Sequence, residues 1–216
     1  TSSNTTTVNK NTTYTAYVKD KDGNVGNCSK TVSNIDTTKP VCVFDKPTDT
    51  TIVSGNTATV KLSCTDTQSG ITDVSRNLSA NSFSITDSSG SSVNYAKVTA
   101  VSAPTAITSG YSYNVTVQGV SYGSFILNLL DGKIIDTANN SNNKVTSNSM
   151  TAYNKAEVGT CNSGLVYNGG SQTLASGGTG ISFANNSRIN QGSQRVTMTP
   201  TTGYMFSDEA SSKTTD

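Results

Sequence analysis

The chain reads as an all-β protein built from thin two-layer sandwiches, and three observations carry that reading. Thr, Ser and Asn supply 35, 32 and 23 of the 216 residues. Thr is β-branched, Ser and Asn compete with the helical backbone for hydrogen bonds, and strong helix formers are scarce. Second, the apolar set is only 32% of the chain, well under the roughly 45–50% of ordinary globular domains. A sandwich suits so thin a core, because each strand needs only every second residue apolar. Third, short alternating runs are separated by Gly, Asn, Asp and Ser clusters throughout, the punctuation expected of strands and turns.

Taken in order, residues 13–19 (TYTAYVK) predict a strand and residues 28–32 (CSKTV) its partner, joined by DKDGN at 20–24. DTTKP at 36–40 reads as a joint, since Pro40 fixes its own φ and biases Lys39 toward extended backbone. VCVF at 41–44 opens a new unit. Residues 57–64 place Ala58, Val60, Leu62 and Cys64 on one face and Thr59, Lys61 and Ser63 on the other, which is the period of a half-buried strand. Strands are predicted again at 83–86, 93–101 and 111–120, the last with Tyr111, Tyr113, Val115 and Val117 on one face. SFILNLL within 122–130 is another, followed by DTANN at 136–140 and a short strand near 144–147. Seven or so strands in about 115 residues predict a Greek-key sandwich. Beyond NKAEVG the texture changes: Asn168-Gly169 between apolar residues signals a hairpin, strands are expected near Ile181 and Val196, and the polar end EASSKTTD is expected to fray.

DKDGN and DTANN match, with Asp20, Gly23 and Asn24 falling on Asp136, Asn139 and Asn140, a period of about 116 residues. Gly and then Asn most readily adopt positive φ, so the correspondence is what one fixed turn demands. A metal loop would have kept its carboxylates, yet Asp22 is replaced by Ala138. Calcium at Asp20, Asp22 and Asn24, spaced two apart as hard-cation ligands are, is therefore secondary to the turn reading, and Asp36 at the joint could complete such a site between domains.

YTAYVKDKDGNVGNCSKTV followed by IDTTKP, and SFILNLLDGKIIDTANNSNN in the second copy, resemble bacterial immunoglobulin-like (Big-type) domains of surface proteins. GLVYNGGSQTLASGGTG through GYMFSD resembles the small MBG-like β-rich repeat. The resemblance implies tandem immunoglobulin-like β-sandwich modules: the last strands of an upstream module at 1–36, a complete sandwich at 37–153 and a partial repeat at 154–216. Asn139 stands where that family usually has Gly, and the second copy's final strand carries no cysteine. The implied role is a non-catalytic stalk or adhesin segment at the bacterial cell surface, monomeric within a longer chain. The alternatives are loop-mediated binding of a host glycan or protein, and an accessory module of a secreted carbohydrate-active enzyme. Cys42 and Cys64, on neighbouring first strands, are the expected disulfide, with Cys28–Cys42 and Cys28–Cys64 left open and a partner for Cys161 expected beyond residue 216.

Net charge is +1 with no long basic run, so the counterion-release attraction of nucleic-acid binders is missing. No window reaches the roughly 18 apolar residues of a membrane span, and residues 1–20 lack a signal-peptide layout, so the chain is expected to be a segment of a longer extracellular protein, where cysteines oxidise. With no histidine, Ser-His-Asp and Cys-His arrangements are excluded, and without CxxC spacing zinc is a poor reading. Asp131 with Asp136, and Asp66 with Asp73, are conceivable acid–base pairs, but solvated turn residues are the better reading of both. Lys61 or Lys97 could crosslink to a strand Asn, though Lys61 alternates to the polar face. The sequons at Asn77 and Asn114 are expected by chance. Tyr111, Tyr113, Tyr122, Tyr153, Tyr167 and Tyr204 could form a carbohydrate face, with core packing the commoner fate. No enzyme activity and no cofactor other than calcium is expected.

Overall fold

A computed structural model describes residues 5–47, 50–73 and 76–215. It is all-β: the only helical element among those residues is a single 3-10 turn, Ala80–Ser82. That turn falls in the middle third of the chain but is too short to bury a face.

The N-terminal ribbon is an antiparallel pair, β1 (Thr12–Lys19) and β2 (Val25–Val32), in the register Ala16↔Cys28. Its faces are open: Tyr17 is 71% exposed and Val18 68%. Thr13 meets Thr31 and Thr15 meets Ser29 through their hydroxyls on one face, so polar cross-strand pairs rather than burial hold the ribbon.

The central unit follows with β3 (Val41–Phe44), β4 (Thr51–Val53), β5 (Thr57–Thr65), β6 (Phe83–Thr86), β7 (Ala96–Val101), β8 (Thr105–Ile107), β9 (Gly110–Gly119), β10 (Gly123–Leu129), β11 (Val145–Thr146) and β12 (Met150–Lys155). One sheet runs β3-β5-β9-β7 with β8 on β9; the other runs β11-β10-β12 with β6 on β10 and β4 on β12. The two sheets enclose one core. Ala58, Val60, Leu62 and Cys64 are buried along β5 as the period of two predicts, and Val115 and Val117 continue that face on β9. Phe125, Leu127 and Leu129 of β10 answer from the opposite sheet at 0% exposure, each burial worth roughly 1.5–3 kcal/mol. Cys42 and Cys64 are directly opposed across β3 and β5 and form a disulfide. Cys28, on the exposed ribbon, takes no part in it.

The C-terminal unit is made of short pieces: β13 (Thr160–Cys161), β14 (Gln172–Thr173), β15 (Ala175–Ser176), β16 (Ile181–Ala184), β17 (Ser187–Arg188), β18 (Val196–Pro200), β19 (Tyr204–Met205) and β20 (Lys213–Thr215). Its small core gathers Ala156, Met198 and Phe206. Two expectations fail here. No strand pair closes around Asn168-Gly169: β14 pairs β17 and β13 pairs β15, and Val166 and Tyr167 stay 76% and 63% exposed. The turn chemistry is present, with Asn168 Oδ1 accepting the Gly170 N–H at 3.0 Å, but its flanks stay largely in water, and a hairpin alone is marginal there. The polar end does not fray before Thr215 either. Lys213–Thr215 pair with β18, and Lys213 donates to Asp208 Oδ2 at 2.7 Å while lying over the Phe206 ring.

The two joints are built differently. β12 runs through the 153/154 position, pairing β4 with its first half and β19, in the C-terminal unit, with its second. Residues 33–40 have no sheet partner. There the chain is held by side chains: Asn11 exchanges hydrogen bonds with Ile35, Gln68 Nε2 donates to Thr38 Oγ1, and Lys39 Nζ to Asn143 Oδ1.

Candidate functional site

The bend at Asp20 uses its carboxylate on itself. Oδ1 accepts the backbone N–H groups of Asp22 and Asn24 at 2.9 and 2.8 Å, and Oδ2 accepts Asn24 Nδ2 at 2.8 Å. These bonds, that of the Asn24 side chain first, hold the Asp20 carboxyl below its ordinary pKa. Gly23 sits at φ +94°. The Asp22 N–H and the Asn24 N–H and side-chain amide thus all donate to the Asp20 carboxylate and close the turn.

At Asp136 the bend recurs with both Asn bonds, Asn140 N to Oδ1 at 2.7 Å and Asn140 Nδ2 to Oδ2 at 2.8 Å, and with Asn139 at φ +70° in Gly23's place, but without a counterpart of the Asp22 N–H bond. A third version closes β6, where Ser91 N donates to Asp87 Oδ1 at 3.0 Å and Gly90 has φ +88°. It lacks the Asn and hence the second clamp. The backbone bend alone is therefore a general turn, and the doubly clamped Asp–Asn form is what positions 20–24 and 136–140 share.

The central copy stands in different surroundings. Asp136 is 1% exposed and packs beside Asp66, 5% exposed, and Asp36 of the joint; one carboxylate oxygen from each lies within 4.8 Å of the other two. Loop 66–72 is strapped to the bend through Thr137 N to Gly70 O at 3.0 Å and Thr72 N to Ile135 O at 2.9 Å, which carries Asp66 to Asp136. Asn140 Nδ2 also reaches Asp36 O at 3.3 Å, tying the joint to the bend. Asp66 Oδ1 accepts three backbone N–H groups, from Gln68, Ser69 and Gly70. The neighbouring Ser69 hydroxyl, followed by the Thr38 N–H, holds the Asp36 carboxyl below its ordinary range. The hydroxyl misses hydrogen-bond geometry, however, so Asp36 Oδ2 and Ser69 Oγ are both buried without a formal partner.

The other expected groups disperse. Asp131 is exposed and Asp73 forms an ion pair with Arg76 at 2.9 Å, so the carboxylates that do meet are Asp66 and Asp136, one from each predicted pair. Lys61 faces Asn114 across β5 and β9 but is exposed and pairs with Asp45 at 3.6 Å, unlike the dry pocket that a Lys–Asn crosslink needs. Lys97, Asn77 and Asn114 are exposed. Of the tyrosines only Tyr113 is fully buried, at 1% exposure. Tyr122 and Tyr153 pack 5.6 Å apart at the second joint, with Tyr122 46% exposed. Tyr167 lines an open groove of about 240 Å³ with Leu165, Leu174, Arg188 and Ile189. Sequence reading missed Asp66 as a partner of Asp136, because 70 residues separate them and only the strap joins them.

Among the described residues no helix is long and apolar enough to cross a membrane. No protein-family model and no curated protein sequence matches the chain. One similar solved structure is the sialic acid binding region of the Streptococcus sanguinis SK1 adhesin, bound to 3'sLn. It shares 14% identity at a TM-score of 0.35, over 94% of this chain and 56% of that one. The chain thus spans a little over half the length of that structure, and a likeness of this size carries no argument about fold or function.

Proposed function

We propose that this chain is a run of immunoglobulin-like sandwich modules from a bacterial cell-surface protein, serving as a non-catalytic stalk or adhesin segment that holds a binding region away from the cell. The observation that carries the reading is the doubly clamped Asp–Asn bend. It closes the N-terminal ribbon and recurs in the central sandwich about one module length later. On this reading β1 and β2 are the closing strands of a preceding module, and their open faces belong against the remainder of it. Val18, two residues before Asp20, is exposed, whereas Ile134, two before Asp136, is fully buried. The strand shared across the second joint supports a stiff array, since bending there would break backbone hydrogen bonds.

Small-angle scattering of the chain tests this. A single compact body of this length has a radius of gyration of about 17 Å; an array gives a clearly larger value and an elongated distance distribution. A value near that of a compact globule would refute the stalk reading. Glycan arrays and host-cell binding separate a spacer from the alternative, in which loops or the groove at Tyr167 and Arg188 bind a host glycan or protein: a spacer segment binds nothing.

A further inference from the structure

The Asn168-Gly169 turn has no structural task, since no strand pair closes around it. Of the 23 asparagines in the chain, Asn168 alone is followed by glycine, and that pair carries a chemistry of its own. The backbone nitrogen after an asparagine can attack the side-chain carbonyl carbon and close a five-membered imide. A Cβ on the attacking residue crowds the approach, and glycine has none.

The fold leaves this pair free to react. Asn168, Gly169 and Gly170 are exposed and lie in no strand. Gly169 sits at φ +79°, with open space where a Cβ would stand. Among the described residues neither the Gly169 N–H nor Asn168 Nδ2 enters a hydrogen bond, so nucleophile and leaving group are both unencumbered. Asn168 Oδ1 accepts the Gly170 N–H at 3.0 Å. That bond folds the carboxamide back along the Gly169 peptide and aims a donor at the oxygen on which charge develops during attack. Gln172 Nε2 donates to Val166 O, so the flanks are tied and the pair stays at an exposed loop tip, where structure protects least. Other asparagines are held differently: Asn140 Nδ2 donates to Asp136 and Asp36, and Asn142 Oδ1 accepts two backbone N–H groups. Asp22-Gly23 and Asp131-Gly132 share the glycine, but a carboxylate accepts a nucleophile far less readily than an amide does.

We propose that Asn168 is a site of spontaneous modification that places a carboxylate, on a partly lengthened backbone, beside the groove at Tyr167 and Arg188. Hydroxide takes the Gly169 amide proton, the nitrogen bonds to Asn168 Cγ, the Cγ–Nδ2 bond breaks, and ammonia leaves with a proton from water, which restores the hydroxide. Water then opens the imide at either carbonyl. One opening gives aspartate; the other gives isoaspartate, whose backbone is longer by one methylene. The sum is water in and ammonia out, with no oxidant, metal or enzyme. The chain's net charge of +1 falls by one. Tyr167, the preceding residue, lines the groove with Leu165 and Arg188, so the rim changes with the age of the molecule. The chemistry stands independently of the stalk reading; a role for the altered rim rests on the alternative in which that groove binds a partner.

The test holds the freshly purified whole chain at pH 6 and pH 8 for weeks. Peptide mass mapping, ion-exchange chromatography and isoaspartyl methyltransferase labelling follow the products, with a synthetic peptide of residues 164–172 alongside. Asn168 is expected to convert at least an order of magnitude faster than any other asparagine, to give isoaspartate among the products, and to react faster at pH 8 in proportion to hydroxide. Its rate in the folded chain should lie within a few-fold of that in the peptide, because nothing holds the pair. Gly169→Ala should slow conversion by an order of magnitude or more, and Asn168→Gln, which would need a six-membered ring, should abolish the new acidic form. Conversion no faster than at the other asparagines, or an order of magnitude slower than in the peptide, overturns the proposal. So does Gly169→Ala reacting at the parent's rate. If Gly169→Ala fails to fold, the parent decides: equal rates at pH 6 and pH 8 overturn attack by the backbone nitrogen.

Discussion

Reducing the Cys42–Cys64 bridge gives a prediction whose size follows from the fold. The two cysteines are 22 residues apart in sequence and sit directly opposite each other on β3 and β5. The bond restricts the unfolded chain to a closed loop of that length, and the loop-closure model puts the stabilisation at about 3 kcal/mol at 25 °C. Both thiols are already buried in the native core, at 6% and 0% exposure, and behave there as small apolar groups. Reduction therefore leaves the folded packing nearly intact and acts through the unfolded state. In urea, with a slope of roughly 1–3 kcal/mol per molar, the midpoint of the central unit should fall by about 1–3 M. Circular dichroism with and without a phosphine reductant measures it, with thiol counts by mass spectrometry on the same samples. A midpoint unmoved by reduction, after mass spectrometry has confirmed that two thiols appear, would refute the loop-closure reasoning. Four thiols before reduction would refute the bridge.

Two further outcomes test the interior. The Tyr113 hydroxyl is buried without a hydrogen-bond partner, and burial first, then the neighbouring Tyr111, raises its pKa to about 12 against a smaller opposing effect of Arg76. Because the folded value lies above the unfolded one, this stability is fully present below pH 10 and is lost as pH rises through about 12; Tyr113→Phe should remove that alkaline loss and stabilise by on the order of 1 kcal/mol at neutral pH, and melting at pH 7 and 11 checks both. Asn140→Ala removes the clamp on Asp136 and the bond to the joint and should cost the central unit roughly 1–2 kcal/mol, whereas Asn24→Ala, its exposed counterpart, leaves the central transition unmoved; equal effects in urea titrations would contradict the difference in surroundings.

Much of the β architecture was legible from the chain because it is written locally. The period of two along residues 57–64 needs only one buried face, and Val60 and Leu62 duly have 0% exposure. The bend at Asp20 is just as local: an Asp accepting N–H groups two and four residues on, and a residue able to take positive φ. That is why the match to Asp136 could be read from spacing alone, and why the same signal also occurs at Asp87 inside the unit. The Asn168-Gly169 hairpin misled for the converse reason. Its turn signal is genuine, but strand pairing there depends on a cover that adjacent residues do not supply.

What sequence by itself determined is the alternation, the bends, the all-β class and the absence of histidine-based chemistry, each a property of neighbouring residues or of composition. Tertiary structure alone decided that Asp66 belongs with Asp136 and Asp36, since the strap between residues 66–72 and 135–137 consists of backbone bonds and of the Thr137 hydroxyl's bonds to the Ser69 and Gly70 carbonyls, none of which adjacent residues announce. It also decided that the first joint hangs on side chains while the second is a shared strand. Contacts across 70 or 100 residues depend on how sheets stack, and sheet stacking is fixed by the whole core at once.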